Sequence, residues 1–226
     1  YSIKNSLTVK YYIVDHKLRH NSTLETNLVK DLLKKNFINT DILNWNGEKP
    51  FSNIQSTARK KRYKLLINKA KKLKINNILT AHHIDDLYEN FFIRILRGSG
   101  LSGLASFDKN TYYDKINFLR PLIEFEKDTL VYITKKFFMY YIKETSNDDD
   151  KFTRVRIRKL LKNLQSEGLN KKKFFLTIKN LKFSNETIKF YKEKNLKDNS
   201  SFLKRKNSTI LKTEFVIQPE SVLYSS

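Results

Sequence analysis

Short β-rich runs alternate with longer amphipathic stretches along the first two thirds of this chain. The β-rich runs predict strands over residues 7–15, 37–45, 77–81 and 116–122. The other stretches carry apolar residues at helical spacing, which predicts helices over residues 21–36, 54–73, 84–97, 125–138 and 151–164. Strands that alternate with helices predict an α/β fold of the Rossmann-like kind, with a parallel twisted sheet and helices on both faces.

Two of the predicted helices have a clear apolar face. The helix over residues 21–36 carries four leucines on one side, Leu24, Leu28, Leu32 and Leu33. The helix over residues 84–97 is predicted to bury a set at positions i, i+4, i+7 and i+11, namely Ile84, Tyr88, Phe91 and Ile95. Beyond residue 168 the pattern changes to a lysine-rich helix and a polar tail. We therefore expect one domain over residues 1–164 and a basic helical extension over residues 165–226.

The charge of the chain adds a partner to this picture. There are 45 lysines and arginines against 23 aspartates and glutamates, so the formal net charge is +22. Such an excess favours a polyanion, of which nucleic acid is the commonest. A second interpretation stays open, because lysine occurs here among abundant Asn, Ile, Phe and Tyr, a set that an AT-rich genome encodes. The arginines are more specific, since nine of the ten precede residue 159 and a guanidinium forms a planar fork for phosphate or carboxylate.

Composition also excludes several kinds of site. The chain has no cysteine, so it has no disulfide, no thiolate zinc site and no cysteine nucleophile. Its longest apolar runs fall short of the roughly 18 to 20 residues that a membrane span needs. No membrane partner is therefore expected.

Residues 80–107 read TAHHIDDLYENFFIRILRGSGLSGLASF and concentrate the candidate chemistry. His82, His83, Asp85 and Asp86 fall where a predicted strand meets a predicted helix, the usual place of ligand sites in open α/β sheets. Backbone N–H groups at such a junction attract anions, and carboxylates there can hold Mg²⁺, which binds phosphates. Asp85 and Glu89 are four residues apart on the helix, so their carboxylates can converge.

Two other interpretations of this segment stay open. Asp85 and Asp86 in a first helical turn, and Arg94 and Arg97 in a last one, stabilise a helix dipole by about 0.3 to 1 kcal/mol without any catalytic role. Dipole balance does not, however, require two adjacent histidines or the glycine–serine loop that follows the helix. A histidine–aspartate metal site for hydrolysis is the second interpretation, although the chain offers only two further histidines.

The segment resembles the signature of the tRNA(Ile)-lysidine synthetase family, in the PP-loop ATP-pyrophosphatase superfamily. The match covers TAHHIDD, Glu89 and LRGSGLSGL in order and spacing, with Leu87 and Asn90 in place of the usual glutamine and threonine. Four flanking elements also resemble the family, and they are Asp15-His16 with Leu18-Arg19 and Ser22, Ala58-Arg59 with Arg62-Tyr63, Arg120-Pro121-Leu122, and Ser146-Asn147 with Phe152, Arg154 and Arg158. Lys17 and Val155 replace a glycine and an asparagine of the pattern. The collinear elements span residues 15–164.

The resemblance also implies a phosphate loop, S-G-G-x-D-S, ahead of Asp15 at the end of a first strand. The five glycines of the chain form no such loop, since they are Gly47, Gly98, Gly100, Gly103 and Gly168. We therefore expect an N-terminally incomplete chain, whose PP-loop domain over residues 1–164 lacks its first strand and phosphate loop. These 226 residues alone are expected to bind ATP poorly and to be inactive.

The function implied by the resemblance is ATP-dependent ligation of free L-lysine to the wobble cytidine of an isoleucine tRNA with a CAU anticodon. The reaction proceeds through an adenylated cytidine, forms lysidine and releases AMP and pyrophosphate. ATP and Mg²⁺ are the implied cofactors. A homodimer stays open, and the implied compartment is the bacterial cytoplasm or the matrix or stroma of an organelle.

The site residues implied by the resemblance form three sets. The catalytic set, whose two aspartates are also the metal ligands, is Asp85, Asp86, Glu89 and His83. The nucleotide-binding set is His82, Arg94, Arg97, Gly98, Ser99 and Gly100. The substrate-binding set is Asp15, His16, Arg19, Arg59, Arg62, Arg120, Asn147, Arg154 and Arg158.

Two further functions stay open. A related PP-loop tRNA thiolase shares the fold and the ATP step, but its sulfur transfer generally uses cysteines, which this chain lacks. A non-catalytic basic RNA-binding remnant would need no phosphate loop. An S-G-G-x-D-S sequence upstream of Tyr1 would favour the enzyme over the remnant.

Overall fold

Fourteen helices and strands follow one another in the described residues of the chain. In the computed structural model these residues are 8–48, 50, 54–141, 152–203 and 208–211. The elements are β1 (Tyr11–Asp15), α1 (Ser22–Lys35), β2 (Thr40–Asn44), α2 (Ile54–Lys72), β3 (Asn77–Leu79), α3 (Ile84–Ile95), α4 (Leu101–Leu104), β4 (Asn110–Tyr113), β5 (Ile116–Leu119), α5 (Lys127–Phe138), α6 (Thr153–Ser166), α7 (Lys171–Asn199), β6 (Ser200–Leu203) and β7 (Ser208–Leu211). They divide into a first unit, residues 1–87 with 108–147, and a second unit, residues 88–107 with 148–226.

The first unit contains the parallel strands that the sequence predicts. Strands β1 and β2 pair in parallel, with Asp15 opposite Asn44 at their carboxyl ends. Strands β3 and β5 also pair in parallel, with Leu79 opposite Leu119. Each parallel pair is connected through a helix, as a crossover requires. The predicted α/β class, with parallel strands and intervening helices, is confirmed.

One strand of the first unit was not predicted. Strand β4 pairs antiparallel with β5 and closes a hairpin through Asp114 and Lys115. Both residues have positive φ, at 52° and 64°, which is the backbone of a tight primed turn. The usual Asn-Gly or Asp-Gly signal of such a turn is absent here, so the sequence carried no clear mark of the hairpin.

The core of the first unit lies between α2 and β5. Ile67 and Ala70 on α2 pack against Ile116 and Phe118 on β5, and all four are buried. Tyr63, one turn before Ile67, places its ring centre 4.8 Å from that of Phe118. Burial of each large side chain stabilises the fold by roughly 1.5 to 3 kcal/mol, so this contact fixes α2 firmly on the sheet.

The predicted apolar face of α1 is wrong in part. Ser22 and Thr26 are its buried residues, whereas Leu24 and Leu28 are exposed at 62% and 55%. The Thr26 hydroxyl donates to the Ser22 carbonyl at 2.7 Å, which satisfies the polar groups on the inner face. Leu24 stands two positions from each of them, hence on the other side of the helix.

The predicted buried face of α3 is right for three of its four members. Ile84, Tyr88 and Phe91 are buried, but Ile95 is 46% exposed. Leu87, which was not predicted, is buried in its place. The buried set therefore follows the spacing i, i+3, i+4 and i+7, and Ile95 is the last residue of the helix.

The second unit is helical with one terminal hairpin. Helix α7 runs for 29 residues, and Phe174 near its start packs on Tyr88 and Phe91 with ring centres 4.9 and 5.3 Å apart. The Tyr88 hydroxyl donates to the Lys171 carbonyl at 2.9 Å. Strands β6 and β7 pair antiparallel where the sequence predicted a polar tail without strands.

Two predictions made from the sequence are not tested by the structure. The domain boundary at residue 164 stays a prediction, and Asn147, which the resemblance implied for substrate binding, lies outside the described residues. No helix among the described residues combines the length and the hydropathy needed to cross a bilayer.

Replacement of Phe118 tests the importance of the α2–β5 contact. Phe118→Ala is expected to lower the free energy of unfolding by about 3 to 5 kcal/mol, because it leaves a cavity in this core. Phe37→Ala is the matched control, since Phe37 is 97% exposed and its loss should change stability by less than about 0.5 kcal/mol. Urea unfolding followed by circular dichroism measures both, and equal effects of the two changes would refute the assignment of this core.

Candidate active site

Asp15 ends β1 as a buried hydrogen-bond acceptor. Its Oδ1 accepts from the Lys17 backbone N–H and the Ser22 hydroxyl, both at 2.9 Å, and its Oδ2 accepts from the Thr23 hydroxyl at 2.6 Å. Burial alone would raise the pKa of this carboxyl, but the hydrogen bonds from Thr23, Lys17 and Ser22 outweigh it and hold the pKa below its ordinary value. Asp15 therefore joins the end of β1 to the start of α1.

His16 and Arg19 occupy the loop that follows Asp15. The His16 ring stands edge-on to the buried Trp45 ring, with centres 6.4 Å apart. Arg19 forms an ion pair with Glu25 on α1, with its Nη2 3.0 Å from Oε2. A Cβ on Gly47 would lie 2.4 Å from Trp45 Nε1, so only glycine lets the chain pass over this indole. Substrate binding by His16 and Arg19 stays a prediction.

His82 follows β3 and contacts α2. Its Nε2 lies 3.5 Å from Nη1 of Arg59, and its Nδ1 lies 2.9 Å from the Thr80 hydroxyl oxygen. Arg59 also donates to the Tyr63 hydroxyl at 3.1 Å, with its guanidinium carbon 4.9 Å from the centre of that ring.

Burial and the neighbouring charges together keep the imidazole of His82 neutral. Burial lowers its pKa most; Asp86 opposes this, while the positive charges of Arg59, Arg120 and Arg62 add to it, and the resulting pKa is about 4. His82 is thus an uncharged imidazole at pH 7. Nucleotide binding by His82 stays a prediction.

His83 lies beside the two adjacent aspartates. Its Nδ1 is 3.5 Å from Asp85 Oδ2, and its Nε2 is 3.5 Å from Asp86 Oδ2. Asp86 Oδ2 also accepts the His83 backbone N–H at 3.0 Å, which caps the first turn of α3. Asp85 Oδ2 accepts the Lys127 backbone N–H at 3.3 Å, which links this turn to the start of α5. The structure therefore brings together three of the four predicted catalytic residues.

Arg120 has the contacts of a structural residue. It is 4% exposed, and its Nη1 donates to the Asp108 carbonyl and the Thr111 hydroxyl, both at 2.7 Å. These bonds fasten the β4–β5 hairpin to the loop before it. Arg120 still contributes positive potential at His82, as its effect on the pKa of that residue indicates.

Glu89 belongs to the second unit and is the most deeply buried carboxylate among the residues of that unit that the structure describes. It is 1% exposed, and its Oε1 accepts from Nε of Arg158 on α6 at 2.5 Å. Nη1 of Arg154, one turn earlier on α6, lies 4.0 Å from Oε2. The expectation that Arg154 and Arg158 share a helix face is met, whereas Arg156 is exposed and bonds the Thr153 hydroxyl. A buried carboxylate beside two guanidinium groups fits an anchor for α6.

The glycine–serine loop closes tightly after α3. Arg94 donates from Nε to Asn90 Oδ1 at 2.8 Å, one helical turn earlier. Gly98 adopts a φ of 66°, and a Cβ on Gly103 would lie 2.8 Å from that of Ser99. Arg97 and Gly98 are exposed, as is Gly100, the residue before α4. Nucleotide binding by this loop stays a prediction.

Sequence reasoning missed several side chains that orient the predicted ones. Thr80 and Tyr63 contact His82 and Arg59, and Gly103 allows the close approach of Ser99. All three stood inside the motifs that carry the resemblance. Their positions in the motifs were the only sign in the sequence that they matter. The structure is needed to show which neighbouring residue each of them orients.

Asp85 and Asp86 are the candidate ligands for Mg²⁺. Within the described ranges, no group of three or more His, Asp or Glu side chains is arranged to hold a metal ion. Mg²⁺ in nucleotide sites, however, usually takes only one or two protein carboxylates and completes its shell with water and phosphate oxygens. Asp85 and Asp86 are adjacent and half-buried, so they fit a Mg²⁺ shared with a triphosphate rather than a closed protein cage.

Parallel strands joined by helices define an α/β protein, and the polar groups gathered where its strands end form a candidate ligand site. The chain belongs to the PP-loop domain family, whose model matches residues 1–164.

Three relatives of the chain have the same name. A tRNA(Ile)-lysidine synthase of Rhodopseudomonas palustris is 35% identical over 167 residues, which are 74% of this chain and 48% of the relative. Proteins of the same name from Orientia tsutsugamushi and Wolbachia pipientis wMel are 36% and 34% identical over 72% and 83% of this chain. The chain covers 36% and 44% of those two, so it spans less than half the length of these three relatives.

The fold is also found in a solved structure of another protein. The U34-tRNA thiolase NcsA from Methanococcus maripaludis, with its [4Fe-4S] cluster, matches with a TM-score of 0.62 over 82% of this chain and 64% of its own. The two sequences are 14% identical, so this likeness shows the fold alone.

The titration of His82 checks the charge environment of the first unit. Its pKa is lowered from 6.5 to about 4, so in the window between these values the unfolded chain binds more protons than the folded one. The free energy of unfolding should therefore fall as the pH falls from 6.5 towards 4, by at most about 1.4 kcal/mol for each pH unit. Histidine NMR titration measures the pKa, and His82→Gln should flatten this part of the stability profile. A His82 midpoint near 6.5 would contradict the described burial.

Proposed function

We propose that this chain carries the catalytic region of an enzyme that ligates lysine to the wobble cytidine of an isoleucine tRNA with a CAU anticodon, at the expense of ATP. The observation that supports it most is the collinear set of motifs, together with relatives at 34% to 36% identity that bear the name tRNA(Ile)-lysidine synthase. The parallel strands and the polar residues at their ends agree with this chemistry.

The proposed reaction has two steps. The carbonyl oxygen at C2 of cytidine attacks the α-phosphorus of ATP, and the bond from that phosphorus to the β-phosphate oxygen breaks, so pyrophosphate leaves. The ε-amine of lysine then attacks C2, the bond from C2 to the adenylated oxygen breaks, and AMP leaves. The ammonium of lysine must lose a proton before it can attack, which calls for a nearby base.

Asp85, Asp86 and His83 are the residues we assign to this chemistry in the first unit. The two carboxylates are positioned by a backbone N–H on each side and by the His83 ring, so their geometry is set before a ligand arrives. Mg²⁺ held there would neutralise charge that develops on the leaving pyrophosphate. His83, with both aspartates at 3.5 Å, is the proposed acceptor for the proton of the lysine amine.

The second unit supplies two further elements of the proposal. Arg94 and Arg97, with the exposed backbone of Gly100, offer cationic and N–H groups to phosphate. Glu89 is proposed to orient Arg154 and Arg158 rather than to deprotonate lysine, because its contacts are with these two guanidinium groups.

Helix α7 is the proposed surface for the tRNA backbone and its unpaired bases. Leu176, Phe183 and Phe190 recur every seven residues and are 55%, 56% and 62% exposed, whereas Phe174 and Ile178 on another face are buried. Lysines stand beside this stripe, and Lys179 Nζ lies 5.8 Å from the centre of the Phe183 ring. Aromatic rings among cations are typical of surfaces that stack bases and neutralise phosphates.

The activity test uses the full-length gene product that contains these 226 residues. Lysine labelled with an isotope should enter an isoleucine tRNA with a CAU anticodon in the presence of ATP, and Asp86→Asn should lower the rate at least about a hundredfold, since it removes one ligand charge at the metal. Asp31→Asn, on the exposed side of α1, is the control and should keep the rate. Absence of incorporation with tRNA binding intact would favour a non-catalytic RNA-binding protein.

The α7 surface has its own test. Phe183→Ala and Phe190→Ala should each weaken tRNA binding about tenfold at fixed salt, because one base–aromatic stack contributes about 1 to 3 kcal/mol. Phe37→Ala removes an even more exposed ring from the first unit and should leave affinity unchanged. Fluorescence anisotropy with labelled tRNA measures all three, and equal affinities throughout would reject α7 as the RNA surface.

A further inference from the structure

We propose that His82 is a positioning residue, which holds the Arg59 guanidinium as a receptor for a phosphate of the RNA substrate. The geometry around His82 supports this role within the first unit. Only the identity of the anion, an RNA phosphate, rests on the function proposed above.

The direction of each hydrogen bond around His82 follows from chemistry. Arginine has only donors, so the contact at 3.5 Å between Arg59 Nη1 and His82 Nε2 requires a lone pair on Nε2. A neutral imidazole with a lone pair on Nε2 carries its proton on Nδ1. That proton points to the Thr80 hydroxyl oxygen at 2.9 Å, and the Thr80 hydroxyl in turn donates to the Leu119 carbonyl at 3.4 Å.

This chain of contacts anchors Arg59 to the sheet. Leu119 belongs to β5, the strand whose Ile116 and Phe118 form the core with α2. Thr80 is also bound to Leu119 through its backbone N–H at 2.9 Å. The position of the imidazole is therefore set by the most buried strand of the unit, and the imidazole sets the direction of the guanidinium.

Two of the contacts that orient Arg59 are made by uncharged groups. One is the neutral imidazole of His82, and the other is the hydroxyl and ring face of Tyr63. A carboxylate in either place would cancel the charge of the fork, whereas a neutral acceptor orients it without doing so. Arg62 and Arg120 add positive potential at the same point, because both of them lower the pKa of His82, while the carboxylate of Asp86 acts in the opposite direction.

A planar fork that is held in one direction within positive potential suits a phosphate group. The role differs from the nucleotide binding that the resemblance implied for His82. It also explains why Thr80 and Tyr63 accompany His82 and Arg59: each one fixes a degree of freedom that a phosphate receptor must lose before binding.

The tautomer of His82 is the first readout, and it does not depend on activity. Nitrogen NMR of the imidazole in the 226-residue chain should show the proton on Nδ1 at pH 7. Arg59→Leu should shift the ring towards the Nε2–H form, because Nε2 then loses its donor. A wild-type ring protonated on Nε2 would overturn the inference.

Binding of RNA is the second readout, with the anticodon stem-loop of an isoleucine tRNA bearing CAU as the probe. His82→Leu should weaken binding about tenfold, the effect of one hydrogen bond to a charged group. His82→Gln keeps a donor and an acceptor, so it should stay within about twofold of the wild type. His82→Leu combined with Arg59→Leu should be no weaker than Arg59→Leu alone, since both changes remove one receptor.

Lys64→Leu is the matched control, because it removes one exposed positive charge from the same helix. Its loss should reduce affinity by no more than about twofold. Losses that multiply in the double variant, or a His82→Gln protein as weak as His82→Leu, would overturn the inference.

Failure of this inference is distinguishable from failure of the proposed function. An inactive full-length protein with the Nδ1–H tautomer and coupled RNA-binding losses would reject the enzyme function alone. An active enzyme with the Nε2–H tautomer would reject the role of His82 alone.

Discussion

Packing of α2 against β5 is the contact on which the candidate site of the first unit depends. Ile67 and Ala70 fix the helix on Ile116 and Phe118, and Tyr63 extends that contact by one turn. Arg59 stands eight residues before Ile67, about 12 Å along the same rigid helix. The core therefore determines where the Arg59 guanidinium lies, and β5 determines where its partner His82 lies through Thr80.

Several polar residues that lie in the motifs make contacts that hold neighbouring segments of the fold together. Asp15 holds the β1–α1 loop, Arg120 holds a hairpin, and Glu89 holds Arg154 and Arg158 of α6. Each is buried, and each makes hydrogen bonds or ion pairs with neighbours of its own unit. Such residues are as essential to a site as the groups that touch substrate, since a displacement of about 1 Å can cost a hundredfold in rate.

The sequence predicted the α/β alternation, the order of the motifs and the position of His83, Asp85 and Asp86 at one strand–helix junction, because these depend on local spacing. It did not predict the β4–β5 hairpin, whose Asp114–Lys115 turn lacks glycine, or the β6–β7 hairpin in a polar stretch. It also placed Leu24 and Leu28 in the core, because periodicity identifies an apolar face without showing what lies against it. Thr80 and Tyr63 escaped notice for a related reason: their roles exist only once distant segments meet.

Adenylation of a tRNA base is the step that separates the proposed enzyme from a protein that only binds RNA. The most direct measurement follows a label on the α-phosphate of ATP into an isoleucine tRNA with a CAU anticodon, using the full-length gene product without lysine. We expect labelled tRNA, from which AMP is released when L-lysine is added. Absence of α-phosphate label from the tRNA, or transfer of label from the γ-phosphate instead, would contradict the proposed function.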